Sequence, residues 1–130
     1  MQGMEDAGSV FRPAVSGDAV LGKAALRAAE RLNLSGTLLA RILGVSGPTV
    51  TRMRQGSFVL ERGSKAFELA ALFVRLYRSL DAIAGGDDGV AAQWLRADNA
   101  ALRDKPVDLI QTVTGLVDVL HYLDARRATG

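Results

Sequence analysis

The amino-acid sequence predicts an all-α protein, and three observations support that prediction. Apolar residues recur at helical spacing along most of the 130-residue chain. Ser35, Ser46 and Ser64 each stand where a side chain can cap a following helix. The one stretch with an extended character, at 58–63, is too short to be assigned as a strand.

Each predicted helix has a recognisable start or end. Asp18 is expected to cap the first helix, Gly44 and Gly56 to end the second and third, and Pro106 to occupy a first turn. The last helix carries one apolar stripe. The predicted helices span 18–32, 36–43, 47–55, 65–84, 90–98, 106–113 and 114–127. Thr112 or Thr114, with Gly115, is expected to separate the last two.

Composition and charge divide the chain. The predicted parts are a flexible N-terminal arm at 1–17, a helical domain at 18–84, a linker at 85–89 and a second helical domain at 90–130. Residues 18–80 contain ten Lys and Arg against four acidic residues, whereas residues 81–130 contain five against eight. This asymmetry predicts two surfaces with different partners. The helix at 65–84 is apolar on more than one face, so we expect it both to lie between layers and to take part in a subunit interface.

Composition also excludes several classes of protein. The chain has no cysteine, no apolar run long enough to span a membrane and no secretory signal, so we expect a soluble cytoplasmic protein. His121 is the only histidine, and the Asp87–Asp88 pair lacks the spacing of a calcium loop. We expect no metal, no cofactor and no enzymatic activity.

The stretch LARILGVSGPTVTRMRQG, at 39–56, has the spacing of a tight helix–turn–helix. Ala40 allows two helices to approach closely, Gly44 accepts a left-handed backbone at the corner, and Val50 packs back on the first helix. Leu39, Ile42, Leu43 and Met53 complete a small core. The alternative interpretation is that this stretch is an ordinary αα-hairpin inside a helical domain, with arginines that only face solvent.

The outward face of the second of these helices is polar and gains cations toward its end. A recognition helix lies in the DNA major groove with its N-terminal residues nearest the bases. The predicted DNA contacts are Ser46, Gly47, Pro48, Thr49, Thr51, Arg52, Arg54 and Gln55. Arg52 can reach either a guanine edge or a phosphate. Because operators are usually read by two copies, we expect a homodimer or a higher oligomer.

This stretch resembles the helix-turn-helix of Xre-type, Cro/repressor-like regulators. The matching residues are Leu39-Ala40, Leu43-Gly44-Val45-Ser46, Thr49-Val50-Thr51-Arg52 and Gly56. A second resemblance, to the C-terminal toxin-binding domain of Xre/MbcA/ParS-type antitoxins, rests on Trp94-Leu95, Asn99, Leu102, Pro106, Leu109, Thr112, Gly115, Val119 and Leu123. The chain departs from that pattern where many members have glycine, at Arg103-Asp104-Lys105.

The two resemblances imply an antitoxin that represses its own operon by binding operator DNA. They also imply that its C-terminal lobe binds a cognate RES-domain toxin, an enzyme that consumes NAD⁺, and that the C-terminal end enters the toxin's NAD⁺ site. The residues expected there are Asp124, Arg126, Arg127, Thr129 and Gly130, with Trp94 as an interface anchor if it is not simply core. A stand-alone repressor with an effector-binding C-terminal lobe, or a toxin inhibitor that does not touch DNA, is the alternative.

Overall fold

The computed structural model describes residues 14–129, with side chains from residue 19 onward, and contains seven α-helices and no strand in that range. The predicted all-α class is therefore confirmed. The helices are α1 (Ala14–Arg31), α2 (Gly36–Leu43), α3 (Gly47–Gln55), α4 (Lys65–Ile83), α5 (Asp88–Arg96), α6 (Pro106–Leu109) and α7 (Val113–Thr129). None of these helices combines the length and apolar character needed to cross a lipid bilayer.

The first helix begins earlier than predicted. It starts at Ala14, so Asp18 lies inside α1 and the expectation that it caps the helix is wrong. Ser16 and Gly17 do not prevent this start, because a serine lowers helix stability by at most about 0.7 kcal/mol and a glycine by about 1 kcal/mol. The rest of the predicted N-terminal arm, residues 1–13, lies outside the described residues.

Helix α4 is the centre of the molecule. It packs against α1 and α2 on one side and most extensively against α7 on the other. Phe73, Leu76 and Leu80 are almost completely buried. The chain thus covers the apolar faces of α4 by itself, which accounts for their composition. Ile83, the last residue of α4, leaves 37% of its surface exposed, and the expectation that this segment also takes part in a subunit interface stays a prediction.

The predicted linker at 85–89 is shorter than expected. Gly85 and Gly86 adopt left-handed backbone conformations, with φ of 65° and 82°, and turn the chain after α4. Asp87 then caps α5 by accepting a hydrogen bond from the Val90 amide at 3.0 Å. The second aspartate of GGDDG is therefore the first residue of a helix.

The turn between α5 and α6 is built around Asn99. Its side chain accepts a hydrogen bond from the Leu102 amide at 3.0 Å, and its carbonyl accepts one from the Arg103 amide at 2.7 Å. Arg103 has a φ of 66°, in the left-handed region that favours glycine. The departure from the family pattern thus falls in the segment where the backbone adopts a conformation suited to glycine.

Gly115 lies inside α7 and does not separate it from α6, contrary to the prediction. The helix begins at Val113, and the Thr112 hydroxyl caps it by accepting the Gly115 amide at 3.1 Å. Gly115 is buried because α6 crosses directly above it. An added Cβ at Gly115 would lie 1.9 Å from the Leu109 carbonyl oxygen. Glycine is needed here for close approach of two backbones.

A single hydrophobic core runs from α1 to α7 across the two predicted domains. Arg96 of α5 reinforces this connection, because its guanidinium donates to the carbonyls of Leu32 at 3.1 Å and Asn33 at 2.6 Å. These carbonyls follow the C-terminal end of α1, where helix carbonyls lack partners and cations are favourable. Arg41 of α2 also donates to Gln111 at 3.3 Å.

Candidate DNA and protein interfaces

The turn between α2 and α3 has the predicted geometry. Gly44 adopts φ 70° and ψ 33°, a left-handed conformation that glycine tolerates without steric strain. The amide of Val45 then donates to the Ala40 carbonyl at 2.9 Å, which satisfies a carbonyl at the end of α2. Ser46 starts α3, its hydroxyl accepting the Thr49 amide at 3.2 Å.

The small core predicted beneath this turn is present. Ala40 and Val50 are buried, with 5% and 1% of their surfaces exposed, so the two helices approach closely at these positions. The other four predicted members are buried as well: Leu39, Ile42, Leu43 and Met53. Packing of this kind fixes the angle of α3 and leaves its opposite face to solvent.

Most of the predicted DNA contacts lie on that solvent-facing side. The exposed ones are Ser46, Gly47, Pro48, Thr51, Arg52, Arg54 and Gln55. Thr49 is the exception: only 9% of its surface is exposed, so the prediction that it faces outward is wrong. Thr49 lies on the buried face of α3 together with Val50 and Met53.

Thr49 instead positions its neighbours. Its hydroxyl lies 2.8 Å from the Ser46 hydroxyl and accepts a hydrogen bond from Arg52 Nη2 at 3.3 Å. Since Arg52 is otherwise exposed, this bond holds one edge of its guanidinium against α3 and leaves the rest free. Arg52 is thus oriented before any ligand arrives.

Arg54 lies close to the N-terminus of α2, a helix end that the sequence analysis did not assign to the candidate DNA-binding site. An added Cβ at Gly36 would lie 3.1 Å from Arg54 Nη1, so the guanidinium sits close to the first residue of α2. Gly36, Thr37, Gly47 and Arg52 line one groove together with Arg54. Two helix N-termini therefore meet here beside two arginines, which concentrates positive potential. Ser35, the cap of α2, was the sequence signal for this.

Asp124, predicted to enter a toxin pocket, is held by its own chain. Its carboxylate accepts hydrogen bonds from Arg75 Nη2 at 2.6 Å and from the Ser79 hydroxyl at 2.7 Å. The hydrogen bond from Ser79 and, next, the Arg75 guanidinium lower the pKa of the Asp124 carboxyl, against the opposing effect of burial. Asp124 therefore fastens α7 to α4 and is not a free group of the tail.

The other tail residues also have local contacts. Arg127 Nη1 donates to the same Ser79 hydroxyl at 3.1 Å, and Arg126 donates to the Tyr122 hydroxyl at 3.0 Å. Thr129 closes the last turn of α7 by donating to the carbonyls of Ala125 and Arg126. Arg126, Arg127 and Thr129 are exposed, and Gly130 lies outside the described residues. Sequence reasoning missed Ser79, which is completely buried.

Trp94 is half-buried rather than fully in the core. Its ring stacks on Tyr122 with centroids 6.2 Å apart and an interplanar angle of 19°. Arg126 lies over the Tyr122 ring, with its Cζ atom 5.7 Å from the ring centroid. Val90, one helical turn before Trp94, leaves 49% of its surface exposed. Helices α5 and α7 therefore present a mixed aromatic, apolar and cationic surface.

The architecture is that of a helix-turn-helix domain followed by a C-terminal helical domain. Two family models match the chain: the antitoxin Xre-like helix-turn-helix domain over residues 13–75, and the antitoxin Xre/MbcA/ParS C-terminal toxin-binding domain over residues 79–128. The two matches follow one another and together cover most of the chain. The chain belongs to the Xre/MbcA/ParS-type antitoxins. A comparison with curated proteins gives no match.

Proposed function

We propose that this antitoxin represses its own operon by binding operator DNA through the groove between α2 and α3. The observation that carries the proposal is the orientation of α3. Its apolar residues are buried while the exposed Arg52 and Arg54 stand beside two helix N-termini. A helix held this way presents donors and positive charge to a phosphate backbone and to base edges. We also propose that two copies of the chain bind one operator and that they do so in the cytoplasm.

Fluorescence anisotropy with a duplex from the gene's own upstream region tests this function. Arg52→Ala should weaken binding by about 1–3 kcal/mol if Arg52 reads a base, with little change for a scrambled duplex. An equal loss on both duplexes, with a reduced salt dependence, assigns Arg52 to a phosphate. Lys105→Ala, which removes the same charge from the turn before α6, is the control. No binding by the wild-type chain at low salt would refute DNA repression.

We further propose that the surface formed by α5 and α7 binds a cognate RES-domain toxin and that the C-terminal end blocks its NAD⁺ site. The stacked Trp94 and Tyr122, with Arg126 beside them, are residue types that dominate protein interfaces. The end of α7 carries the exposed Arg126, Arg127 and Thr129, which we expect to reach the toxin.

Anchoring and blocking can be tested separately. Trp94→Ala should abolish co-purification with the product of the neighbouring gene. Deletion of residues 128–130 preserves the contacts of Asp124 and Arg127 with α4, so it should leave the complex intact but restore NAD⁺ consumption by the toxin. Full inhibition by the shortened chain would refute the role of the tail.

A further inference from the structure

A pair of cations on α1 has no assigned role in the function proposed above. Lys23 and Arg27 are one helical turn apart, and both are exposed. Within residues 19–129, neither makes a salt bridge, although Glu30 lies on the same helix. Like charges at this spacing destabilise a helix by a few tenths of a kcal/mol, roughly 0.2–0.5. No salt bridge among the described residues offsets that repulsion.

These two cations continue the charge of the α2–α3 groove. Lys23 and Arg27 line a surface groove together with Asn33 and Arg54. Arg54 in turn lines the groove at the N-termini of α2 and α3. Arg52, Arg54, Lys23 and Arg27 therefore form a predominantly cationic band that runs from α3 onto α1, with Glu30 as the acidic residue that also lines the groove on α1.

Lys23 and Arg27 also lie on a ridge of α1 between two surface grooves. Besides the groove shared with Arg54, they line a second groove on the other side of α1, together with Arg78. A side chain that borders two grooves projects between them and can reach an extended partner lying across the surface. Arg78 also lacks a salt bridge among the described residues. Asp81 is the acidic residue in the lining of this second groove, so positive charge predominates beyond the ridge.

We propose that Lys23 and Arg27 contact backbone phosphates that flank the base pairs met by α3. This inference rests on the proposed DNA binding and extends it to α1. Duplex DNA presents one negative charge per about 1.7 Å of helix axis, so a continuous cationic band matches it better than an isolated patch would. An acidic protein surface is the competing partner, but only DNA accounts for continuity with the α3 groove.

The test is the salt dependence of DNA binding by the full chain. In K23Q/R27Q, the slope of log affinity against log salt should fall in magnitude by about 1.8, because each lost phosphate contact contributes about 0.9. Affinity at about 0.1 M salt should drop on the order of tenfold or more. The loss should be equal for the upstream duplex and a scrambled duplex, because phosphates carry no sequence information.

The matched control is R103Q/K105Q, which removes two charges from the turn before α6 and should leave the slope unchanged. Thermal melts of both double variants establish that the fold is intact. An unchanged slope in K23Q/R27Q overturns the proposal, as does a loss confined to the upstream duplex, which would indicate base contacts. Loss of toxin co-purification with normal DNA binding would assign the ridge to a protein instead. If the wild-type chain binds no DNA, the proposed function fails first.

Discussion

Replacing Arg96 should reveal how strongly the two family-defined regions depend on each other. Arg96 belongs to α5, yet two of its three hydrogen bonds reach the carbonyls of Leu32 and Asn33 at the end of α1. The third is to Ala92 in its own helix, at 2.9 Å. Those carbonyls follow the end of α1 and precede Ser35, which caps α2. Arg96→Ala therefore removes a tertiary cap from the turn that positions the helix-turn-helix.

The expected magnitude follows from the bonds that are lost. A hydrogen bond to a charged group contributes about 1.5–3 kcal/mol, and a cation at a helix C-terminus adds about 0.3–1 kcal/mol. Because Arg96 is only half-buried, water can replace part of its contacts, so we expect the free energy of unfolding to fall by about 2–3 kcal/mol. For a chain of this length, that corresponds to a decrease in Tm of roughly 10 °C.

Urea denaturation followed by circular dichroism measures this change directly. Arg96→Lys keeps the charge but loses the planar fork that reaches two carbonyls, so it should fall about halfway between the wild type and Arg96→Ala, at roughly 1–1.5 kcal/mol. Lys105→Ala removes a charge that is only 3.8 Å from an exposed carboxylate and should change stability by less than about 0.5 kcal/mol. A loss below about 0.5 kcal/mol in Arg96→Ala would refute the assignment of Arg96 as a tertiary cap.

Three further predictions concern the second half of the chain. Gly115→Ala should lower the free energy of unfolding by about 2–3 kcal/mol in urea melts, because its Cβ would overlap the Leu109 carbonyl; a neutral effect would contradict that close approach. Arg103→Gly should raise it by about 0.5–1 kcal/mol, since φ is 66° there, and a destabilised variant would show that the Arg103 side chain matters more than backbone strain. The depressed pKa of Asp124 stabilises the fold above the ordinary carboxyl range, and that contribution is lost as pH falls below about 4 through the folded-state pKa. Acid titration of stability in Asp124→Asn should therefore be flatter than in the wild type, and identical curves would show that the Ser79 and Arg75 contacts do not matter.

The features that were predicted best from the sequence are the helix caps and turns, which depend on local interactions. The α2–α3 turn depends on Ser35, Gly44 and Ser46, all within a dozen residues, and capping and left-handed turns leave clear signals at that range. Spacing also predicted the buried residues Ala40 and Val50. Thr49 was misplaced because a residue three positions after a cap can lie on either edge of a short helix.

Contacts between distant residues explain most of what the sequence could not predict. Asp124 meets Arg75 and Ser79 across more than forty residues, so neither the tail sequence nor the family resemblance could show that it is held by its own chain. Arg96 reaches Asn33 from sixty-three positions away. Charge counts along the chain gave the correct impression of a basic first part, but the continuity of Lys23 with Arg54 depends on how α1 packs.

Because α4 and α7 pack against each other, we expect the two regions of this antitoxin to unfold together and not stepwise. Helix α7 contributes Leu116, Val119, Leu120 and Leu123, each at most 1% exposed, to the common core. A protease that trims the chain past the end of α7 would therefore uncover α4 as well and weaken the helices that hold α3. Degradation beginning at the C-terminal end would therefore affect both family-defined regions together, and neither region could be transplanted alone without redesigning the surface it leaves bare.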